Sequence, residues 1–262
     1  MIKLYDKSKI NKEDLLFSGK TLQMLLVPLV IEQLLNSFMG MVDTMMVSNV
    51  GSAAISAVSL VDSINTLVIQ VFAAMATGAT IICSQYIGSK NHEGCNRAAR
   101  QIVLTVVTIA LALSILCIGF RKPLLRLIFG AIEPEVMRAA QVYFFITVLS
   151  YPFIALFDAG SAFYRASGDA KYPMKISVIS NILNIAGNAF LIFGLDMGVE
   201  GAAISTLVSR IFCTVVVFYQ LSKPRQEIVL NDYLSIRPDF PLIVKILAVG
   251  VPSGIENGMF QF

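Results

Sequence analysis

The chain has 262 residues, of which 56% are hydrophobic and 14% are charged, and its mean hydropathy is +0.75. A soluble domain of this length holds far fewer apolar residues, so the composition indicates an integral membrane protein. The net charge of +3 is too small to indicate a nucleic-acid partner. Cys83, Cys95, Cys117 and Cys213 have no paired spacing, so neither disulfides nor a zinc site are expected.

Long apolar segments, separated by charged residues, follow one another along the chain. Because a helix needs about 20 apolar residues to cross the hydrocarbon core, they predict six membrane-spanning helices and the beginning of a seventh. They are too long and too evenly apolar for a membrane β-barrel. The six spans are 22–47, 53–84, 99–120, 139–163, 174–195 and 199–221, and 242–262 begins the seventh. We therefore expect an all-α integral membrane protein built on a six-transmembrane-helix bundle.

Lys and Arg residues are distributed unevenly over the predicted loops. If the amino terminus is cytoplasmic, the outer loops receive only Arg121, Lys122, Arg126 and Arg138, and nearly all other cations fall on the inner side. Cytoplasmic loops of membrane proteins carry an excess of Lys and Arg. The sequence thus predicts a multi-pass protein of the cell membrane with a cytoplasmic amino terminus.

The first and seventh spans open with related sequences, "VPLVIEQLLNSF" at 27–38 and "VPSGIENGMFQF" at 251–262. Six crossings separate them, so both enter the membrane from the same side, as in a parallel repeat. We expect residues 1–221 to form one lobe, 222–241 a cytoplasmic linker, and 242–262 the start of a second lobe that continues beyond this chain. Chance similarity and a half-length homodimer are the alternatives. A lone seventh helix is expected to be poorly anchored.

Charged side chains within the spans each cost roughly 2.5 to 3.5 kcal/mol at mid-membrane and so require a reason. Those away from the ends of the spans are Glu32, Asp43, Asp62, Asp158, Arg210 and Glu256. On an unbroken helix Glu32, Asn36 and Asp43 share one face, which must contact protein or water. Pro28 lies one turn before Glu32 and lacks an N–H group, so the helix can bend there. Glu32 and Arg210 lie near mid-span, which is consistent with either a buried ion pair or a role in gating.

Polar side chains from three predicted helices lie at similar depth in the outer half of the bilayer. They are Asp43 in the first span, Asn184 and Asn188 in the fifth, and Thr206 in the sixth. A carboxylate, two amides and a hydroxyl are hard oxygen ligands, suited to a small cation or a transferable proton. The structural alternative is that the asparagines and the threonine only hydrogen-bond between or within helices. Asp169 is expected to cap the fifth helix or to form the turn that leads into it.

Three segments resemble the multidrug and toxic compound extrusion (MATE) family of cation-coupled exporters: "MVDTMMVSNVG" at 41–51, "FYRASGDAKYPM" at 163–174 and "NILNIAGNAFLIFGLDMGVEGAAISTLVSR" at 181–210. The resemblance implies two six-helix lobes around a central cavity, with this chain supplying the first lobe and part of helix seven. It also implies that Asp43 is a cation or proton site and that Asn184, Asn188 and Thr206 occupy sodium-site positions. The family has an acid at the position of Asn188, so the coupling ion stays open between sodium and a proton.

The resemblance implies secondary active efflux of cationic or amphipathic drugs in exchange for that ion, by alternating access. Glu32, Asn36 and Glu256 are expected to line the shared cavity, where carboxylates favour cationic cargo. Some family members have a glutamate in helix seven at the position where this chain has Phe260. The role of Glu256 is therefore not implied by the resemblance. The alternative is a flippase for lipid-linked saccharides, disfavoured because the spans of this lobe, away from their ends, carry four acids against one arginine.

An intramembrane enzyme is also disfavoured, because the only histidine, His92, lies in a loop. No cofactor is expected besides the coupling ion. The expected partners are the drug-like cargo, the lipid bilayer and the second lobe.

Overall fold

The computed structural model describes residues 19–130, 132–223, 228–230 and 238–259, and over these ranges the chain forms helices joined by short connections, with no strand. Five of the helices are long and apolar enough to cross a membrane, and a bent pair makes a sixth span. The predicted all-α membrane bundle is therefore confirmed. The helices are α1 (Gly19–Ser48), α2 (Ser52–Gly88), α3 (His92–Gly119), α4 (Arg121–Phe129), α5 (Pro134–Leu149), α6 (Tyr151–Ala166), α7 (Lys171–Asn188), α8 (Gly198–Leu221) and α9 (Phe240–Met259).

The predicted fourth span at 139–163 is interrupted by a bend. The segment is two helices, α5 and α6, which meet at an angle of 42°. Pro152 has no N–H group to donate to the carbonyl of Val148, so the helical ladder is interrupted there. The hydroxyl of Ser114 on α3 donates to that carbonyl instead, over 3.3 Å. A neighbouring helix thus satisfies the backbone group that the break releases.

The connection between the third and fourth spans also contains more structure than the sequence predicted. Residues Arg121–Phe129, which were expected to form an outer loop, form the short helix α4. It begins directly after α3 and ends at Gly130, whose φ of +68° favours glycine. After it, Pro134 occupies the first turn of α5, where its missing N–H group leaves no intrahelical bond unmade.

A six-residue π-helical turn, Ala189–Gly194, follows α7 without a break. Its wider ladder is visible in the 3.1 Å bond from the N–H of Leu195 to the carbonyl of Phe190, five residues earlier. Such turns occur mostly as single insertions and frequently lie at functional sites. Here the turn begins immediately after Asn188.

Small residues allow the helices to approach one another closely. Gly187 on α7 lies against the side chain of Ser205 on α8, and Gly160 on α6 lies against Val217 on the same helix α8. Membrane helices usually pack through small residues where they cross, because the hydrophobic effect contributes little to their association in lipid. These contacts pack both α6 and α7 closely against α8.

The expectation that the seventh helix would be poorly anchored was wrong for the described part of α9. This helix lies along α2, and Ile246 is only 1% exposed. A Cβ atom on Gly78 of α2 would come within 2.9 Å of the Cα atom of Gly250, so two glycines make the crossing possible. In the connection before α9, the described residues Ile228 and Leu230 are buried as well. The division of the chain into two lobes stays a prediction.

Candidate functional site

A cavity of about 590 Å³ lies between α1, α2, α5, α6, α7 and α8. Its volume falls in the range of sites that enclose drug-sized molecules. The charged side chains that line it are Glu32, Asp43, Asp62, Asp158 and Arg210. If all five are ionised, four negative charges and one positive charge give the cavity a net charge of −3. Such a lining attracts cations and repels anions.

Asp43 on α1 is held at one side of this cavity by the asparagines of α7. Nδ2 of Asn188 donates to Oδ1 of Asp43 over 2.6 Å. The amide of Asn184 lies between Asp43 and Thr206, with one end 2.9 Å from Oδ1 of Asp43 and the other 3.2 Å from Oγ1 of Thr206. For an ionised Asp43, the amide orientation that pairs donors with acceptors turns its nitrogen to the carboxylate and its oxygen to Thr206.

The hydroxyl of Thr206 also donates to the carbonyl of Ala202 on its own helix, over 3.0 Å. The hydroxyl of Ser205 donates to the carbonyl of Asn184 over 2.8 Å, which ties α8 to α7 beside the site. The structure therefore brings together the four side chains that the sequence grouped at one depth: Asp43, Asn184, Asn188 and Thr206. Their role as ion ligands stays a prediction.

The other atom of the Asn188 amide has no such partner. Asn188 is fully buried, and its Oδ1 accepts no hydrogen bond from any described residue. An unsatisfied buried amide oxygen is uncommon and calls for an explanation. An amide oxygen is a hard ligand, the type that a small cation such as sodium prefers. Within the described residues no three His, Cys, Asp or Glu side chains cluster as a transition metal would require.

Asp62 on α2 belongs to a second hydrogen-bonded group on the same cavity. Its Oδ1 accepts from Nδ2 of Asn65 over 3.2 Å and from the hydroxyl of Tyr143 over 3.4 Å. The hydroxyl of Tyr151 in turn donates to Oδ1 of Asn65 over 2.8 Å. Asp62 is thus hydrogen-bonded from its own helix and from α5.

Arg210 lies at the break between α5 and α6. Its Nη1 donates to the hydroxyl of Ser150 over 2.5 Å. Among the described residues the ion pair within 4.0 Å is Arg97 with Asp239. The predicted alternative of a buried Glu32–Arg210 pair was therefore wrong, although both side chains line the cavity.

The remaining predicted residues have different outcomes. Asn36 lines the cavity and accepts a 3.4 Å hydrogen bond from the hydroxyl of Ser177. Pro28 lies inside α1, which continues through it as one helix. Glu256 is part of α9, but its side chain lies outside the described residues, as does Phe260. The predicted cap is confirmed, because Oδ1 of Asp169 accepts from the backbone N–H groups of residues 171 and 172.

Sequence reasoning missed several groups that surround the charged residues: Asn65, Tyr143, Ser150 and Tyr151. Asn65 could have been found, since it follows Asp62 by three residues and so lies on the same helix face. The two tyrosines and Ser150 gave no such signal. Their positions depend on the break between α5 and α6 and on how these helices pack against α2.

The chain is similar to known proteins over most of its length. The MatE family model matches residues 28–190. The uncharacterized transporter YisQ of Bacillus subtilis is 32% identical over 88% of this chain and 51% of its own length. The probable multidrug resistance protein NorM of Thermotoga maritima is 29% identical over 97% of this chain and 55% of its own length. The chain thus spans about half the length of these curated relatives.

Solved structures share the fold. A MOP superfamily transporter from Pyrococcus furiosus, described as having a binding pocket of reverse polarity, is 24% identical, with a TM-score of 0.83 over 90% of this chain and 52% of that one. The crystal structure of a MATE protein in its bent conformation is 23% identical, with a TM-score of 0.83 over 91% of this chain and 54% of that one. At these identities the likeness concerns the fold alone.

Proposed function

Because this chain belongs to the MatE family, we propose that it forms the first lobe of a secondary active exporter. The exporter would remove cationic or amphipathic drug-like molecules from the cell in exchange for sodium ions or protons. Two relatives, an uncharacterized transporter and a probable multidrug resistance protein, support transport as the class of function. The orientation with a cytoplasmic amino terminus is part of this proposal and rests on the distribution of Lys and Arg.

One observation carries the proposal, namely the carboxylate of Asp43 held by two amides from α7 within a membrane bundle. A carboxylate at this depth is costly unless it is paired or titrates. Asn188 and Asn184 supply hydrogen bonds to it but no positive charge, so Asp43 remains free to take a cation or a proton. A purely structural role would be met as well by an asparagine at position 43, without the cost of a charge.

The amide of Asn184 offers a simple way to couple the ion to the protein. Toward an empty, ionised Asp43 it turns its nitrogen, as described above. A cation or proton between the two groups favours the opposite orientation, with the amide oxygen toward Asp43 and the nitrogen donating to Oγ1 of Thr206 over 3.2 Å. Ion binding would thereby change the contact between α7 and α8. A ligand shifts a conformational equilibrium only through such differential contacts.

The cargo site of the proposal is the cavity of four carboxylates and one guanidinium. Its net negative charge in a low-dielectric setting favours an organic cation. Glu32 and Asn36 line the same cavity at a distance from Asp43 and its two amide partners. Cargo and ion would therefore bind in different parts of one continuous cavity. Cation or proton binding at Asp43 would reduce the negative charge that holds the cargo, which makes the two ligands compete.

A second lobe completes the proposed transporter. The relatives are about twice as long as this chain, and α1 carries exposed apolar side chains such as Leu34 and Phe38, which are 65% and 60% exposed. Alternation of the two lobes, with α1 bending near Pro28, would open the cavity to either side. The flippase alternative is not favoured, because a lipid pyrophosphate would meet four carboxylates in this lobe.

Efflux of ethidium, a fluorescent organic cation, from cells that express the full-length transporter tests the proposal. We expect a sodium or proton gradient to drive efflux, and Asp43→Asn to reduce it at least tenfold at equal expression. The matched control is Asp196→Asn, the same exchange in a connection where φ is +54°, which asparagine accepts. Unchanged gradient-driven efflux in Asp43→Asn would show that the proposed coupling site is wrong.

A further inference from the structure

Helix α4 lies at the membrane boundary as a consequence of its place in the chain. It follows α3, which is long enough to span the membrane, and precedes the bent pair α5 and α6, which forms the next span. Its nine residues measure about 14 Å, whereas the hydrocarbon core is about 30 Å thick. The helix therefore cannot cross the membrane and connects two crossings along one boundary.

The side chains of α4 suit such a boundary. Leu125 is fully buried against the bundle, whereas Leu127 is 84% exposed and Ile128 is 51% exposed. Arg121 and Lys122 are exposed on the same short helix. Large apolar and cationic side chains on one short helix are typical of helices that lie in the interface between headgroups and acyl chains. There the apolar groups reach the acyl chains while the long cationic side chains reach the headgroups.

A second cavity, of about 630 Å³, lies beside α4 and the start of α5. Arg126 on α4 and Arg138 on α5 line it, together with the polar side chain of Gln141. Neither arginine has an ion-pair partner within 4.0 Å among the described residues. Glu133 and Glu135, the acids nearest in sequence, do not line it. Two guanidinium groups thus share one cavity that contains no carboxylate among its described lining residues.

We propose that this cavity binds the headgroup phosphate of an anionic phospholipid from the adjacent leaflet. A guanidinium group presents parallel N–H donors that match phosphate oxygens, and two of them from different helices fix the position of one phosphate. The apolar lining residues Ile132 and Met137 and the exposed face of α4 lie where the acyl chains of such a lipid would begin. Charge complementarity and membrane position therefore identify the same occupant.

This site is separate from the carboxylate cavity, with which it shares no lining residue. It does not depend on the proposed transport function. A phospholipid bound there would connect α4 to the first turns of α5.

Native mass spectrometry of protein purified from bilayers of phosphatidylglycerol and phosphatidylcholine in equal parts tests the proposal. We expect the wild-type protein to retain phosphatidylglycerol preferentially. The double variant Arg126→Gln/Arg138→Gln should bind it about 25-fold more weakly, at about fivefold for each arginine. The matched control is Lys171→Gln/Lys175→Gln, which removes the same charge from exposed positions on α7 outside the cavity and should retain the lipid.

Two further arms separate the site from a general charge effect and from a free anion. Arg126→Lys/Arg138→Lys keeps both charges and should bind phosphatidylglycerol better than the glutamine pair, at an unchanged thermal unfolding midpoint. Millimolar inorganic phosphate should not displace the lipid, because phosphate alone lacks the acyl contacts. Equal loss of lipid in both charge-removing doubles, or displacement by inorganic phosphate, would overturn the proposal.

Discussion

Nδ2 of Asn188 on α7 donates a 2.6 Å hydrogen bond to Oδ1 of Asp43 on α1, and so joins two residues that are 145 positions apart in the sequence. The contact depends on an amide at position 188, because an ionised carboxyl group has no proton to donate. A second carboxylate there would repel Asp43 unless a cation lay between them. The residue at position 188 therefore determines whether Asp43 is held by a neutral donor or requires an ion.

Asn188→Asp is expected to convert this site into a stronger sodium site. It replaces the donor with a second negative charge, so the protein should become less stable without sodium and more strongly stabilised by it. Because a second carboxylate at this distance attracts the cation, we expect sodium to bind about tenfold more tightly, which is about 1.4 kcal/mol of binding free energy. Thermal unfolding midpoints measured over a sodium chloride series, at constant ionic strength with choline chloride, follow the change.

The matched control for this exchange is Asn49→Asp, at an exposed position where the amide bonds only to the carbonyl of Met45. It should show the weak sodium dependence of the wild type. A sodium dependence of Asn188→Asp equal to that of the control would contradict the assignment of this site to a cation.

Gly187→Ala is expected to disturb the same site through packing alone. A Cβ atom at position 187 would collide with the hydroxyl of Ser205, which donates to the carbonyl of Asn184. Overpacking of this type costs about 1 to 3 kcal/mol. We expect a lower thermal unfolding midpoint, restored in part by the double variant Gly187→Ala/Ser205→Gly. As a control, Gly119→Ala, which meets no atom within 4 Å, should leave the midpoint unchanged. An unchanged thermal unfolding midpoint in Gly187→Ala would mean that α7 and α8 can move apart without cost.

Much of the fold could be predicted, because lipid imposes long apolar helices on the sequence. The grouping of Asp43 with Asn184, Asn188 and Thr206 followed from helix periodicity and from counting residues between the ends of the spans. Both arguments are local and need no knowledge of side-chain packing. For this reason the predicted depths were sufficient to group side chains from three different helices into one site.

The missed features depend on tertiary contacts. Pro152 marks a possible break, but a proline in a membrane helix can also be accommodated by neighbours, and only the contact from Ser114 to Val148 shows how this one is satisfied. The close approach of Gly78 to Gly250 was equally hidden. Each glycine is unremarkable within its own helix, and their meeting depends on how α9 crosses α2.

Gly78→Leu is expected to displace α9 from α2. The Cβ atom of the new side chain alone would lie 2.9 Å from the Cα atom of Gly250. This neighbour is backbone, which cannot move aside as a flexible side chain can. We expect a lower thermal unfolding midpoint and faster proteolytic cleavage in the segment between α8 and α9. Gly88→Leu, on the same helix with no atom within 4 Å, is the matched control. Equal cleavage rates in the two variants would contradict tight packing of α9.

The two roles of Asp239 at the start of α9 lead to a further prediction. Its Oδ2 pairs with Nη2 of Arg97 over 2.6 Å, and its Oδ1 accepts a 3.4 Å hydrogen bond from the N–H of Leu242. The ion pair is open to solvent on the arginine side, since the Arg97 side chain is 67% exposed and that of Asp239 is 20% exposed, and exposed pairs contribute about 0.2 to 1 kcal/mol. An N-terminal cap contributes about 0.5 to 2 kcal/mol.

The cap should therefore matter more than the ion pair. Asp239→Asn keeps an oxygen that can cap α9 and removes the charge, so it should destabilise the protein only as much as Arg97→Ala does. Asp239→Ala removes both interactions and should cost more, by about 1 kcal/mol for the cap. Hydrogen exchange at the first turn of α9 measures each difference locally. Because salt screens only the ion pair, high salt should reduce the effect of Arg97→Ala and leave most of the effect of Asp239→Ala. Equal exchange rates in Asp239→Asn and Asp239→Ala would show that the ion pair, and not the cap, holds the start of α9.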